Sequence, residues 1–184
     1  MSVKKLFAVV LLFFVSAVAV SADETIKAEN NAYRHNNKGL LYLKENYYFG
    51  AIKEFQIAID LLPSSQASAA FYVNLGTTYE KIGYPSIARP YFEKAVSLNV
   101  LCFDYYLKLA ENYKKNGIVN QQIIIFEKKD NSPLNDVMLG LLYIQKGDVP
   151  TGVTILDDFC NKEPKLIITD GVKRYLEKVT KEKL

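Results

Sequence analysis

Histidine is nearly absent from this chain: His35 is the single copy in 184 residues. Imidazole-based metal sites need several copies, so most of them are excluded, and the common base-activated nucleophile arrangements have His35 alone to draw on. Cysteine is almost as scarce. Cys102 and Cys160 stand far apart, with no Cys-x-x-Cys spacing for dithiol redox chemistry. The chain has no glycine-rich phosphate loop, no serine-centred nucleophile elbow and no cluster at metal-ligand spacing. Asp157-Asp158 pairs two carboxylates in sequence only. Helix neighbours point about 100° apart, so this pair reads as a solvated edge. An excess of one charge is also missing: 23 basic residues face 20 acidic ones. A nearly neutral chain lacks the electrostatic footprint of a nucleic-acid binder.

One apolar run stands out. Lys4-Lys5 precedes an apolar stretch from Leu6 to Val20, followed by Ser21-Ala22-Asp23. A basic start, an apolar core and small residues before an acid describe a secretory signal peptide over residues 1–22. Cleavage after Ala22 fits best, and Ala17-Val18-Ala19 offers a second site. A membrane span usually needs about 20 apolar residues, so an uncleaved anchor is the alternative. No cysteine follows the run to carry a lipid, and no later segment is long and apolar enough to cross a bilayer. The expected mature chain, 23–184, is exported, periplasmic or secreted, and carries a net charge of +1 because the leader removes two lysines. Its length suits one domain. Export makes a disulfide chemically possible, but a bridge needs alpha carbons within about 7 Å. Two separately packed thiols is the reading adopted, with a Cys102–Cys160 bridge as the alternative.

The rest of the chain is periodic. A small residue followed three places later by tyrosine occurs four times: Gly39/Tyr42, Gly76/Tyr79, Ala110/Tyr113 and Gly140/Tyr143. Four places further on stand Asn46, Gly83, Gly117 and Gly147, residues that tolerate the left-handed conformation ending a helix. The small residues lie 37, 34 and 30 positions apart, a period near 34. After Asn46 come Ala51, Phe55, Ala58 and Pro63; after Gly83 come Ala88, Phe92 and Ala95, with Val100 in the proline position. Each stretch reads as two helices joined by a short turn. Small residues let the helices approach, and aromatic rings fill the space beside them. On this reading Tyr42, Tyr79, Tyr113 and Tyr143 are all assigned to the repeat core. Pro63 and Pro164 stop the second helix, because proline cannot continue the hydrogen-bond ladder. Ser64 or Ser65 offers a cap for the next helix, and Pro133 suits the first position of another.

This spacing resembles the tetratricopeptide repeat, a family of 34-residue helix-turn-helix units, from about Ala32 to Pro164. The expected fold is all-α: an α-solenoid of about four units (32–65, 69–100, 103–131 and 133–164) with a capping helix at 167–184. Repeat three departs at Gln122 and Lys129, where the family has small residues, and is four residues short. Repeat four carries Gly152, Leu156 and Phe159 in its second helix. In the last helix Val172, Tyr175, Leu176 and Val179 share one side, and Lys173, Arg174, Lys178, Lys181 and Lys183 lie mostly on the other. That is an amphipathic cap with a solvated basic face, which a repeat array needs to cover its last unit.

The resemblance implies function by surface, with no cofactor, no metal and no catalytic group. In this family the first helices line a concave groove that holds a peptide or a helix. Carried over by spacing, the lining is Tyr33, Asn36, Leu40 and Lys44, then Ala70, Val73, Asn74, Thr77 and Lys81. Repeat three adds Asp104, Leu107, Lys108 and Glu111; repeat four adds Val137, Leu141 and Ile144. Asn74 can bond both polar groups of an extended backbone. A related clamp for C-terminal carboxylates is matched by Asn74, with Lys108 in place of its arginine, but Asp104 repels a carboxylate. His35 sits where a packing residue is usual. The expected activity is a non-enzymatic adaptor in the cell envelope that binds a protein or peptide. A self-assembling subunit, oligomeric through its ends, is the second reading, and a cysteine- or histidine-dependent enzyme the third.

Overall fold

In a computed structural model the described residues are 25–129 and 132–181; the expected signal peptide at 1–22 lies outside them. They form two compact units, divided between Pro63 and Ser64. All regular structure in them is helical, as the all-α reading expects. No helix among the described residues is long and apolar enough to cross a membrane.

The first unit is one helical hairpin, with α1 over residues 25–44 and α2 over Tyr48–Leu61. Helix α1 is already helical at residue 25, seven positions before the first repeat position. Asn46 makes the turn with φ 61°, the single non-glycine with positive φ among the described residues. The hairpin closes on Ala32, Ala51, Phe55 and Ala58, all fully buried. Gly39 is required here because a Cβ would lie 2.6 Å from the Phe55 ring.

The second unit holds three more pairs. Helix α3 (Ala69–Lys81) pairs with α4 (Pro85–Leu98), α5 (Phe103–Lys115) with α6 (Val119–Glu127), and α7 (Pro133–Lys146) with α8 (Val149–Lys162). Ser65 does cap, but it caps a 3-10 turn at Gln66–Ser68, accepting from the Ala67 N–H at 3.0 Å, and this turn leads into α3. Gly83, Gly117 and Gly147 all take positive φ at the predicted turns. Pro133 occupies the first turn of α7 as expected. Helices α2 and α8 end before Pro63 and Pro164, whereas α4 stops at Leu98 without proline. One buried cluster runs from Ala88 and Phe92 through Tyr106, Leu109, Leu141 and Phe159 to Val172. Helix α9 (Ile167–Lys181) packs on α8 and also on α5, where the Phe103 and Tyr175 rings lie 5.4 Å apart.

The signature tyrosines require a correction. Of the four assigned to the core, Tyr113 is buried, but Tyr42, Tyr79 and Tyr143 are only half-buried. The space beside Gly39 and Gly76 is already filled by the Phe55 and Phe92 rings from the partner helices. Three residues further on, about 60° round the helix, each tyrosine falls at the edge of the core instead. Tyr42 packs there edge-on to Tyr47, with ring centroids 5.2 Å apart, and Tyr79 stacks on Tyr91 at 5.6 Å. Tyr143 turns its hydroxyl outward and donates to Glu127 Oε1 at 2.7 Å. Their backbones close the turns: the Tyr42 carbonyl accepts from the Tyr47 N–H and the Tyr79 carbonyl from the Tyr84 N–H.

Candidate functional site

Candidate positions stand on the outward side of the first helix of each pair, and those of the two units are described separately. On α1, Tyr33, Leu40 and Lys44 recur at helical spacing and all three are exposed, Tyr33 by 40% and Leu40 by 41%. Asn36 does not join them. It is only 6% exposed because its position falls on the buried stripe of Ala32 and Gly39, four and three residues away.

Helix α3 presents Val73, Asn74 and Thr77 half-buried and Lys81 exposed. On α5, Leu107, Lys108 and Glu111 are half-buried, and Lys108 Nζ donates to Glu111 Oε2 at 3.1 Å. Leu107 also packs against the core cluster. The expected lining ends there. Leu141 and Val137 are fully buried, in the same cluster as Ile168 and Val172 of α9. Ile144 faces Gly152 of α8, so it belongs to the α7–α8 contact. The packing of α7 on α8, α5 and α6 accounts for these corrections, because it encloses the side of α7 that the count assigned to the groove.

A polar network fixes α3 against α5 beside this surface. Asn112, fully buried, donates to Glu80 Oε1 at 2.7 Å and to the Pro85 carbonyl at 2.9 Å. Lys115 pairs with the other Glu80 oxygen, and Asn116 donates to the Pro85 carbonyl at 3.1 Å. No buried side-chain polar atom among the described residues lacks a partner. Fully satisfied networks of this kind hold one packing arrangement and reject its neighbours.

His35 and the cysteines take structural places. His35 Nδ1 lies 2.6 Å from Glu54 Oε2, and Lys38 Nζ lies 2.7 Å from Glu54 Oε1. The hydrogen bond from Lys38, then that from His35, holds the Glu54 carboxyl below its ordinary range; the Glu54 bond raises Lys38 in turn. Cys102 and Cys160 are both free, as the sequence reading had it. Burial pushes the Cys160 thiol up, the opposite of what a reactive thiolate requires. Asp157 and Asp158 are exposed, with Asp157 accepting from Asn161 at 3.3 Å. The described residues contain no group of three metal-ligating side chains.

Sequence reasoning missed a cavity of about 370 Å³ between α4, α5, α6 and α7. Its floor includes Tyr106, Leu109, Tyr113 and Met138; burial pushes the Tyr106 hydroxyl up to about 12. The signal was present in the short spacing of repeat three and in Gln122 and Lys129, both of which line the cavity.

Comparison with known proteins supports the repeat reading. A family model for the tetratricopeptide repeat matches residues 69–99, the second unit of the predicted series. No curated protein sequence matches the chain. Among solved structures, a tetratricopeptide repeat protein from Parabacteroides merdae superposes with a TM-score of 0.51 at 17% identity. That match covers 83% of this chain and 61% of the other, and the likeness is one of fold. A crystal structure of MamA protein matches at 26% identity over 74% of this chain and 75% of that one, with a TM-score of 0.48.

Proposed function

The chain is a tetratricopeptide-repeat protein, and we propose that it works as a non-enzymatic scaffold holding a protein or peptide segment on its first-helix faces. The observation that supports this reading is a division of labour along each first helix. Gly39, Gly76 and Ala110 are buried against their partner helices, while Tyr33, Leu40, Val73, Asn74 and Thr77 keep access to solvent. Apolar side chains beside an amide give a partner both area to bury and backbone groups to bond. His35 Nδ1 is bonded to Glu54, and burial holds the Cys160 thiol away from the reactive thiolate form, so neither supports a catalytic reading.

We place the working chain in the cell envelope on the pattern of residues 4–22. Cell fractionation with amino-terminal sequencing tests this: a mature end at Asp23 supports it, and an intact leader in the soluble interior refutes it. The scaffold reading is tested by retention from an envelope extract on the immobilised protein, beside a Leu40→Asp, Thr77→Arg variant of unchanged circular dichroism. A protein held by the wild type and lost by the variant supports the reading; equal retention defeats it. Leu41 and Phe49, 61% and 76% exposed in the first unit, favour a second reading, assembly between copies. A sedimentation coefficient that rises with concentration and falls back on Phe49→Ser distinguishes it.

A further inference from the structure

Helix α6 is 9 residues long, whereas α4 and α8 each have 14. At about 1.5 Å of rise per residue, the five missing positions shorten α6 by roughly 7.5 Å. The cavity of about 370 Å³ opens at this shortened end, between the last turns of α4 and α6 and the first turn of α7. Its volume falls in the lower part of the range of about 300–1,000 Å³ for small-molecule sites.

The chemistry of the lining is asymmetric. The floor is the apolar core itself: Leu109, Met138 and the ring faces of Tyr106 and Tyr113 are all buried. Val96 and Phe126 form partly buried walls. Two charges stand at the rim. Glu93 is already answered: Tyr113 donates to its Oε1 at 3.2 Å, and Arg89 Nε lies 3.8 Å away. Lys129 is not. Its ammonium rests 4.0 Å from the Phe126 ring centroid and has no carboxylate partner among the described residues. A mainly apolar floor, with Ser97, Gln122 and Asn135 also in the lining, under a cation that has no anion among the described residues suits an apolar body carrying one acid group.

We propose that this cavity binds a small amphipathic carboxylate, its apolar body against Met138 and Leu109 and its carboxylate on Lys129. The site is separate from the first-helix surface and does not depend on the scaffold reading. Binding involves no covalent step. Displacing the Lys129 ammonium from the Phe126 face exchanges a cation–π contact for an ion pair, both near the surface, so the charge contributes selectivity more than strength.

Met138 supplies the assay. The chain has two methionines, Met1 and Met138, and Met138 forms part of the cavity floor. With methyl-13C-methionine labelling of the full chain, octanoate is expected to move the Met138 resonance saturably and leave that of Met1 in place. Octanol should bind about three- to fivefold more weakly, and Lys129→Gln should bring octanoate to the octanol level, the effect of one exposed ion pair. Val96→Phe, which fills the cavity from α4, should abolish the shift in a protein whose circular dichroism is unchanged. The proposal is overturned by a Met138 resonance that does not move, by equal binding of octanoate and octanol, or by a Lys129→Gln protein that binds octanoate as the wild type does. Movement of Met1 alone identifies non-specific association and overturns it as well.

Discussion

Gly152→Ala is the sharpest test of how α7 and α8 meet. A Cβ at position 152 falls 2.5 Å from the Gly140 carbonyl oxygen, 2.6 Å from Ile144 Cγ1 and 3.0 Å from the Ile144 backbone nitrogen. Two of these three atoms belong to the backbone of α7, which cannot swing aside as a side chain can. The helices must separate, and overpacking of a close interface costs about 1–3 kcal/mol. Alanine returns about 1 kcal/mol of helix propensity relative to glycine. Because the obstructing atoms are backbone, the cost sits at the top of its range and the net loss is about 2 kcal/mol. With a urea slope near 2 kcal/mol per molar, the denaturation midpoint should fall by about 1 M. Gly76→Ala is the matched control. There the new Cβ meets the Phe92 ring at 3.0 Å and the Ala88 carbonyl at 3.2 Å, and the ring can slide. Its propensity gain and packing cost nearly cancel. Urea titration followed by circular dichroism reads both variants. An unchanged or raised midpoint for Gly152→Ala refutes the reasoning, because α7 and α8 then do not touch backbone to backbone.

Two other perturbations address the polar contacts. Asn112→Ala removes the buried donor to Glu80 Oε1, while Lys115 keeps the other Glu80 oxygen and Asn116 the Pro85 carbonyl; hydrogen bonds to charged groups contribute about 1.5–3 kcal/mol, so a loss near 2 kcal/mol is expected by urea titration; a loss under about 0.5 kcal/mol, the scale of an ordinary surface change, shows that the network does not hold α3 to α5. Glu54 has a folded-state pKa below its ordinary 4.5, so its contribution is present above that value and is lost as pH falls through the folded pKa. Thermal melts from neutral to acid pH should therefore show the wild type converging on Glu54→Gln at the acid end, and a constant gap between them contradicts the Lys38–Glu54–His35 arrangement.

Much of the architecture was legible because its signals are local. A left-handed turn needs a residue without a bulky side chain, and Asn46, Gly83, Gly117 and Gly147 stand at those turns with positive φ. The helix-pair contact needs small residues facing rings, which Gly39 with Phe55 and Gly76 with Phe92 announce by spacing alone. Spacing does not report depth, however: Tyr42 and Tyr79 stand at the signature positions yet lie half-buried at the edge of that contact, because the phenylalanines already fill it. Gly152 shows a second limit. In the sequence it looks like a departure from the alanine of repeats one and two, yet it permits the closest backbone approach of any described helix pair for which a glycine contact is seen. The candidate surface was less legible for the same kind of reason. Asn36 and Leu141 occupy groove positions by count, but one falls on the buried stripe of α1 and the other is enclosed where α7 packs on its neighbouring helices.

By itself, the sequence determined the class, the repeat period, the turns and the pairing of helices, because each depends on residues within about 20 positions of one another. Tertiary structure alone decided where α9 goes, against α8 and α5, and that α7 is enclosed by its neighbours. It also decided that the short α6 opens a cavity instead of drawing its neighbours together. An amphipathic helix specifies that one side must be covered but not by which helices. A deletion specifies lost volume, and the packing of surrounding helices decides whether that volume collapses or stays open.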